Sequence, residues 1–329
     1  MGENRQATRK DVAQKAGVSV ATVSYVLNHT KSFSPEVESR VRRAAEELRY
    51  RPNLVARSLI TKHSSHVAIL VDNLKNPYYL KILEGAQKVA SEKGYIVTLL
   101  LSDYIDGKLT DQILARQFDG MIFTTQDCRM LYQKMSASIP CMLGDYVHIE
   151  YGNAIREAVR KLKQSGHQHI AMLCGLSEGT TDSRIWDFRE ALKEQKIEID
   201  EDLFVWSKKE KTTEEQGYLD MEELLSRRKA FTGVFALNDL MAIGAIRCLK
   251  HHGIRVPEDV SVFGCDNDDR DQDMAPPLAS IDVSANLLGE ELMRALLSLI
   301  EHVPYKKVII RGKFIPRQSI AKCNEAQDK

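Results

Sequence analysis

KDVAQKAGVSVATVSYVLN, residues 10–28, predicts two short helices joined by a tight turn. Thr8 has the spacing of an N-cap for the first helix, because the carboxylate of Asp11 three residues later can bond back to it. Gly17 tolerates the left-handed backbone that ends a helix, and Ser19 can cap the second helix directly afterwards. Apolar residues then recur at every third or fourth position. The stretch therefore predicts a helix-turn-helix pair.

The outward face of the second predicted helix carries mostly small apolar, hydroxyl and amide side chains and no charge. Such a helix can enter the major groove of DNA, because short side chains allow close approach to base edges, and hydroxyls or amides can bond to phosphates. A third helix is predicted from Ser34 as its cap and Pro35 at its first position. Three short helices form a compact module suited to nucleic-acid binding.

Charge is distributed unevenly along the chain. The formal net charge of all 329 residues is zero, but residues 1–66 contain twelve Lys and Arg against six Asp and Glu, a net +6. A basic head before an acidic body is typical of a nucleic-acid-binding module attached to a second domain. We recognise no signal sequence and no membrane-spanning run, so we expect a cytoplasmic protein with no membrane partner.

Metal and catalytic motifs are not apparent in the sequence. The six cysteines form no CxxC pair and no zinc-finger pattern with histidine, so neither disulfides nor a metal site is predicted. The acidic run DNDDRDQD, residues 266–273, lacks the glycine and glutamate of a calcium-binding loop. No P-loop, GxSxG or HExxH motif occurs. We therefore expect no cofactor, no catalytic residues and a function other than catalysis.

From His66 onward, short apolar runs alternate with helical patterns. The runs lie at 67–71, 95–101, 120–125, 169–173, 233–237 and 260–264. This order predicts parallel sheets with helices on both faces. Two such sheets form two lobes, and a ligand is expected in the cleft between them, beyond the carboxyl ends of the strands.

Residues 10–28, together with YRPNLVARSL at 50–59, resemble the amino-terminal signature of the lactose-repressor (LacI/GalR) family of bacterial transcription regulators. The resemblance extends over nearly the whole chain. It implies a small all-α helix-turn-helix headpiece followed by an α/β, two-lobed, periplasmic-binding-protein-like core. The implied boundaries are 1–52 for the DNA-binding headpiece, 53–65 for a hinge helix and linker, and 66–329 for the effector-binding and dimerisation core.

The same resemblance implies which residues contact DNA. Base-reading positions fall on Val20, Ala21 and Tyr25, and phosphate contacts fall on Thr8, Thr22 and Asn28. The hinge positions that face the minor groove fall on Ala56 and Leu59, with Leu59 matching a leucine that wedges into a base step. A helix as short as this hinge is marginal alone, so it needs a partner to form. Many members have arginine in place of Tyr25, which leaves the base preference there open.

For the effector, the resemblance implies six residues in or near recognisable motifs: Tyr78, Tyr79, Asp145, Arg184, Asn238 and Asp266. Carboxylates, an amide and a guanidinium fork fit a polyol or ring ligand, and a tyrosine ring offers a stacking face. Other roles remain open for some of them. Asn238 can cap the helix that follows it, and the two tyrosines are as well suited to packing as to stacking.

We therefore expect a homodimeric, sequence-specific repressor that binds a pseudo-palindromic double-stranded DNA operator. A small-molecule effector, a sugar or sugar derivative, is expected to bind between the lobes and control the repressor. One alternative keeps the DNA-binding role but replaces the sugar with a purine or a phosphoprotein corepressor. A weaker alternative is a solute-binding protein without a role in transcription, which the basic head disfavours.

Overall fold

The computed structural model describes residues 7–28, 30–51, 58, 63–124, 129–143, 146–208 and 211–323. The chain divides into two compact units, Met1–Ser64 and Ser65–Lys329. The described part of the first unit contains the helices α1 (Arg9–Ala16), α2 (Val20–Leu27) and α3 (Pro35–Glu47). Among the described helices, none combines the length and the hydropathy that crossing a membrane requires.

The helix ends of the first unit follow the predicted signals, with one exception. Thr8 and Asp11 form a reciprocal capping box on α1, and Gly17 ends that helix at φ +66°. The Ser19 hydroxyl accepts a hydrogen bond from the backbone N–H of Thr22 at 3.0 Å, as predicted for α2. Ser34 is the N-cap residue of α3 as predicted, but its side chain makes no capping bond to the described backbone of that helix. Proline at the first helical position starts α3 without it.

Valine and alanine side chains from all three helices fill a small core in this unit. Val12 of α1, Val23 of α2 and Val41 of α3 are fully buried. Short apolar side chains let three short helices approach closely, which suits a module with little surface to bury. The opposite face of α2 is therefore left in solvent.

The second unit contains two parallel four-stranded sheets, in the orders β2-β1-β3-β4 and β7-β6-β8-β9. Its strands are β1 (His66–Val71), β2 (Ile96–Leu101), β3 (Gly120–Phe123), β4 (Cys141–Met142), β5 (Val147–Glu150), β6 (Ile170–Leu173), β7 (Phe204–Val205), β8 (Gly233–Ala236), β9 (Ser261–Phe263), β10 (Ser280–Asp282), β11 (Val308–Arg311) and β12 (Lys313–Ile315). β5 pairs with β11 in parallel, and β10 pairs with β12 in an antiparallel ladder. The six predicted apolar runs all contain strands, trimmed or extended by a residue or two at their ends.

The helices of the second unit are α4 (Pro77–Glu92), α5 (Gly107–Ala115), α6 (Arg129–Ser136), α7 (Gly152–Gln164), α8 (Ser183–Glu194), α9 (Glu214–Ser226), α10 (Asp239–His251) and α11 (Ala285–Ile300). Residues of α4 and α11 cover one face of the first sheet, and residues of α5 and α6 cover the other. The second sheet has its own core, which includes Phe188, Phe204, Phe235 and Phe263. Both sheets are thus buried on two faces, as continuous apolar strands require.

Candidate functional site

The outward face of α2 places the three predicted base-reading residues in solvent. Val20 is 42% exposed and Tyr25 is 44% exposed, and Ala21 between them is exposed as well. The Tyr25 ring stacks on the ring of Phe33, with centroids 6.4 Å apart, a contact that no sequence pattern predicts. This contact orients the phenol while its surface remains accessible. The face has the small, uncharged chemistry that close approach to base edges requires.

The predicted phosphate-contact residues lie at the ends of the same helices. Thr8 is exposed at the start of α1, and the hydroxyl of Thr22 lies 2.9 Å from the hydroxyl of Ser19 at the start of α2. The Asn28 amide donates to the hydroxyl of Ser24 at 3.3 Å, at the end of α2. The hinge residues Ala56 and Leu59 lie outside the described residues, so their predicted roles stay predictions.

A cleft of about 430 Å³ in the second unit brings together the five described residues of the predicted effector set. Those residues are Tyr78, Tyr79, Arg184, Asn238 and Asp266. The sixth, Asp145, lies outside the described residues. Polar lining residues that the sequence analysis did not select include Asn76, Thr124, His148, Asp182 and Thr212. A larger opening of about 1070 Å³ shares Thr212 with this cleft.

Asp266 follows β9 and turns its carboxyl group toward Asn76, whose amide donates to Oδ2 at 3.3 Å. Burial raises the pKa of Asp266 to about 8, and the nearby carboxylate of Asp239 adds to the rise. The Arg184 guanidinium and the Asn76 amide act against that rise without cancelling it. Asp266 is therefore mostly protonated at neutral pH. In that form it offers one hydroxyl donor as well as acceptor oxygens.

Arg184 lies in the first turn of α8 and forms a tight pair with Asp182, the N-cap of that helix. Its Nε donates to Oδ1 of Asp182 at 3.0 Å, and its Nη2 donates to Oδ2 at 2.7 Å. Its Nη1 donates to the backbone carbonyl of Leu237 at 3.0 Å. One edge of the guanidinium is thus already engaged, so the predicted two-bond fork toward a ligand is not available from that edge. Single N–H groups on Nη1 and Nη2 remain.

The Asp182–Arg184 pair adds no net charge to the cleft. Burial acts to raise the pKa of Asp182, but the adjacent guanidinium outweighs it, and the pKa lies below its usual value. The guanidinium carbon also lies 5.5 Å above the ring of Tyr151, another cleft residue. Both partners are therefore charged and mutually neutralised. The missed residue Asp182 had a visible signal, because aspartate two residues before Arg184 is a typical N-cap.

Asn238 takes the capping position that the sequence analysis left open. Its Oδ1 accepts from the backbone N–H of Met241 at 2.9 Å at the start of α10, and its Nδ2 donates to the carbonyl of Thr212 at 3.0 Å. Both ends of the amide therefore hold the cleft wall together. A ligand contact from Asn238 stays a prediction, using the second lone pair or the second amide hydrogen.

Tyr78 and Tyr79 lie in the first turn of α4, which Asn76 caps by accepting from the N–H of Tyr78 at 3.0 Å. Their rings meet edge to face, with centroids 5.3 Å apart and planes at 70°. Burial raises the pKa of both phenols above the usual range, so both remain neutral donors. Both side chains are only partly buried, and they combine packing with access to the cleft.

Two family models match the sequence. Residues 8–53 match the model for bacterial regulatory proteins of the lacI family, and residues 159–320 match the model for a periplasmic binding protein-like domain. Among curated proteins, the chain is similar to the HTH-type transcriptional repressor PurR of Haemophilus influenzae. The two are 31% identical over 335 residues, which covers 95% of this chain and 98% of that protein.

Solved structures of the same fold include the lac repressor dimer bound to operator and the anti-inducer ONPF. That likeness has a TM-score of 0.81 at 24% sequence identity and covers 96% of this chain and all (100%) of the other. The complex of the transcriptional regulator CelR with cellobiose has a TM-score of 0.67 at 28% identity, covering 95% of this chain and 100% of the other. The predicted fold class, a helical headpiece with a two-lobed core, is confirmed.

Proposed function

Because the chain belongs to the LacI family of bacterial transcription regulators, which are not enzymes, we propose that it is a homodimeric repressor controlled by a neutral, hydroxyl-rich effector. DNA binding and an effector-binding core come with family membership. The repressor role, the dimer and the sugar-like effector are the proposed part. The dimer has support from the lac repressor structure, a dimer on its operator.

DNA binding is proposed to act through α2. Val20, Ala21 and Tyr25 would face base edges, and Thr8, Thr22 and Asn28 would reach the backbone. In a two-fold symmetric dimer, the two α2 helices fit successive major grooves about 34 Å apart, which calls for a pseudo-palindromic operator. Ala56 and Leu59 are proposed to enter the minor groove between the half-sites. Replacing Leu59 with alanine should then reduce operator bending, because the wedge is lost.

The charge balance of the cleft is the observation that supports a neutral effector. Asp182 neutralises the charge of Arg184, and Asp266 is mostly protonated at neutral pH. These three side chains are therefore polar but together have little net charge. Hydroxyl groups of a sugar can both accept from the Arg184 N–H groups and bond to the Asp266 carboxyl. An anionic ligand would meet Asp182 without a surplus cation. The CelR complex with cellobiose supports a carbohydrate.

The purine alternative has support in the cleft lining. A purine ring stacks on an aromatic face, and the rings of Tyr78, Tyr79, Phe123 and Tyr151 all line the cleft. Coupling between effector and operator of about 1–3 kcal/mol would change DNA affinity roughly 5- to 150-fold. The direction of that change separates an inducer from a corepressor.

Calorimetric titration of the full chain with neutral sugars, sugar phosphates and purines tests the effector class. We expect a neutral sugar to bind, and Asp182→Asn to weaken its binding while strengthening that of the matching sugar phosphate, because Arg184 then has a surplus charge. Glu178→Gln, the same charge change at an exposed residue outside the cleft lining, is the control and should leave both affinities unchanged. Binding of purines alone would replace the proposal with the purine alternative.

A further inference from the structure

Glu222, Cys248 and His252 meet at a place that lines neither cleft. One carboxylate oxygen, the cysteine sulfur and one imidazole nitrogen all lie within 4.8 Å of one another. Oε1 of Glu222 and Nε2 of His252 are 3.6 Å apart. Three different metal-ligating groups therefore lie around one space that is a few ångströms across.

The packing of α9 against α10 creates this meeting point. Cys248 and His252 are four residues apart at the end of α10 and share a face. A Cβ on Gly217 of α9 would lie 2.2 Å from the carbonyl oxygen of Met241, and one on Gly244 would lie 1.9 Å from that of Glu214. The two backbones are thus in contact. This close approach brings Glu222 of α9 over the face that carries the cysteine and the histidine.

The donor set fits a zinc ion. Thiolate, imidazole and carboxylate are the three ligand types that bind zinc in proteins, at about 2.0–2.3 Å. Two oxygen or nitrogen ligands of a tetrahedral ion lie about 3.3 Å apart at those bond lengths, close to the separation of Glu222 and His252. Calcium and magnesium prefer oxygen ligands alone, which the sulfur of Cys248 disfavours.

The burial of the three residues leaves the site accessible from one side. The side chains of Glu222 and His252 are 47% and 48% exposed, while Cys248 is buried beneath them. Zinc binds cysteine as the thiolate, so an ion that binds this sulfur displaces its proton.

We propose that Glu222, Cys248 and His252 bind one zinc ion, with the fourth position open to water, and that the ion ties α9 to α10. The sequence alone predicts no metal site, because its cysteines form no CxxC pair and no zinc-finger pattern with histidine. Glu222, the third ligand, belongs to the preceding helix, which only the fold brings near Cys248 and His252. The alternative is that Glu222 and His252 form an ordinary surface contact above an unreactive cysteine. Such an arrangement would bind no metal.

Titration of the metal-free full chain with Co²⁺, followed by visible absorption, tests the site. Co²⁺ reports tetrahedral geometry through its ligand-field bands and reports thiolate ligation through a sulfur-to-metal charge-transfer band. We expect one Co²⁺ per chain with that band, displaced by Zn²⁺. Cys248→Ser should abolish the band, and His251→Gln, a change at the neighbouring histidine, should leave it intact. Glu222→Gln should weaken Co²⁺ binding roughly tenfold or more.

A second measurement covers the case in which the buried Cys248→Ser change prevents folding. His252→Gln alters an exposed side chain and should fold, yet it should lose the rise in melting temperature that Zn²⁺ gives the wild-type chain, because binding to the folded state stabilises it. A wild-type chain without a charge-transfer band overturns the proposal. So does a band that persists in Cys248→Ser, since another cysteine would then be the ligand.

Discussion

Asp266 combines an unusual backbone conformation with a carboxyl group that is partly buried in the cleft. Its φ is +117° and that of the following Asn267 is +53°, a region that side chains other than glycine rarely adopt. The N–H of Asp266 donates to the carbonyl of Ile281 at 2.9 Å, and Asn267 Oδ1 accepts from Arg317 at 2.6 Å. These bonds hold a backbone that costs of order 1–3 kcal/mol per residue. The result is a carboxyl group fixed at the cleft.

We predict that Asp266→Asn stabilises the protein at neutral and alkaline pH. The folded state raises the pKa of Asp266 from 3.8 to about 8, so the carboxyl opposes folding wherever the unfolded chain has lost its proton. That penalty is absent below about pH 4, grows with pH and is complete above about pH 8. An amide of the same shape carries no such penalty. We expect a gain of about 1–3 kcal/mol near pH 8, discounted because the group is partly solvated.

Urea unfolding of both proteins at about pH 5 and about pH 8 measures this gain. The difference in free energy of unfolding should be larger at the higher pH. Asp103→Asn, a change at an exposed aspartate, is the control and should show little difference at either pH. A loss of stability in Asp266→Asn that does not vary with pH would mean that the carboxylate is ionised and needed in the folded state.

For single residues, the sequence predicted which side chains lie at the cleft, but it did not predict which groups those side chains contact. All five described members of the predicted effector set line it. The pairing of Arg184 with Asp182 was not predicted, because it depends on the geometry of a helix start that composition does not reveal. The raised pKa of Asp266 likewise depends on burial of the carboxyl group and, secondly, on Asp239, and both arise only from the fold.

At the scale of elements, glycine at the contact of α4 and α11 sets how closely these helices pack. A Cβ on Gly85 would lie 1.9 Å from the carbonyl oxygen of Asn286, and one on Gly289 would lie 2.0 Å from that of Ile82. Such contacts are with backbone atoms, so no side-chain rotation relieves them. Contact between the two backbones therefore fixes how closely α11 packs against α4.

We predict that Gly289→Ala lowers the free energy of unfolding by roughly 1–3 kcal/mol, because α4 and α11 must separate to admit the methyl group. Gly107→Ala is the matched control. Gly107 starts α5, and a Cβ there meets nothing within 4 Å, so the change should be neutral or slightly stabilising. Urea unfolding compares them. Equal stability of the two variants would show that the helix contact yields without cost.

The sequence located the strands that lie in apolar runs and missed the others. Runs of five or more residues located β1, β3, β6, β8 and β9, because a strand buried on both faces is apolar throughout, and they also located the edge strand β2, which is only partly buried. β4 and β7 have two residues each, too few for any periodic signal. β10 and β12 pair across more than thirty residues of chain, which local patterns do not reveal. Ser34 shows that a capping residue can be present without its bond.

In the molecule as a whole, the connections between the two lobes of the second unit suit a movement of the lobes when a ligand binds. Within the described residues, the chain passes between the lobes after β5, after β10 and after β11. β5 and β11 pair side by side, and the N–H of Gly312 donates to the carbonyl of Glu150 at 2.8 Å where both strands end. Paired crossings with a cleft beside them suit hinge closure around a ligand.

DNA recognition is proposed to rest on α2. The most direct test is the affinity of the full chain for a DNA fragment that it selects from its own genome, measured at several salt concentrations. Ala21→Asp places a charge on the exposed face of α2, and Ser39→Asp makes the same charge change on the exposed part of α3. We predict a wild-type affinity that falls steeply with salt, lost in Ala21→Asp and largely kept in Ser39→Asp. An Ala21→Asp protein that binds like the wild type would contradict the claim.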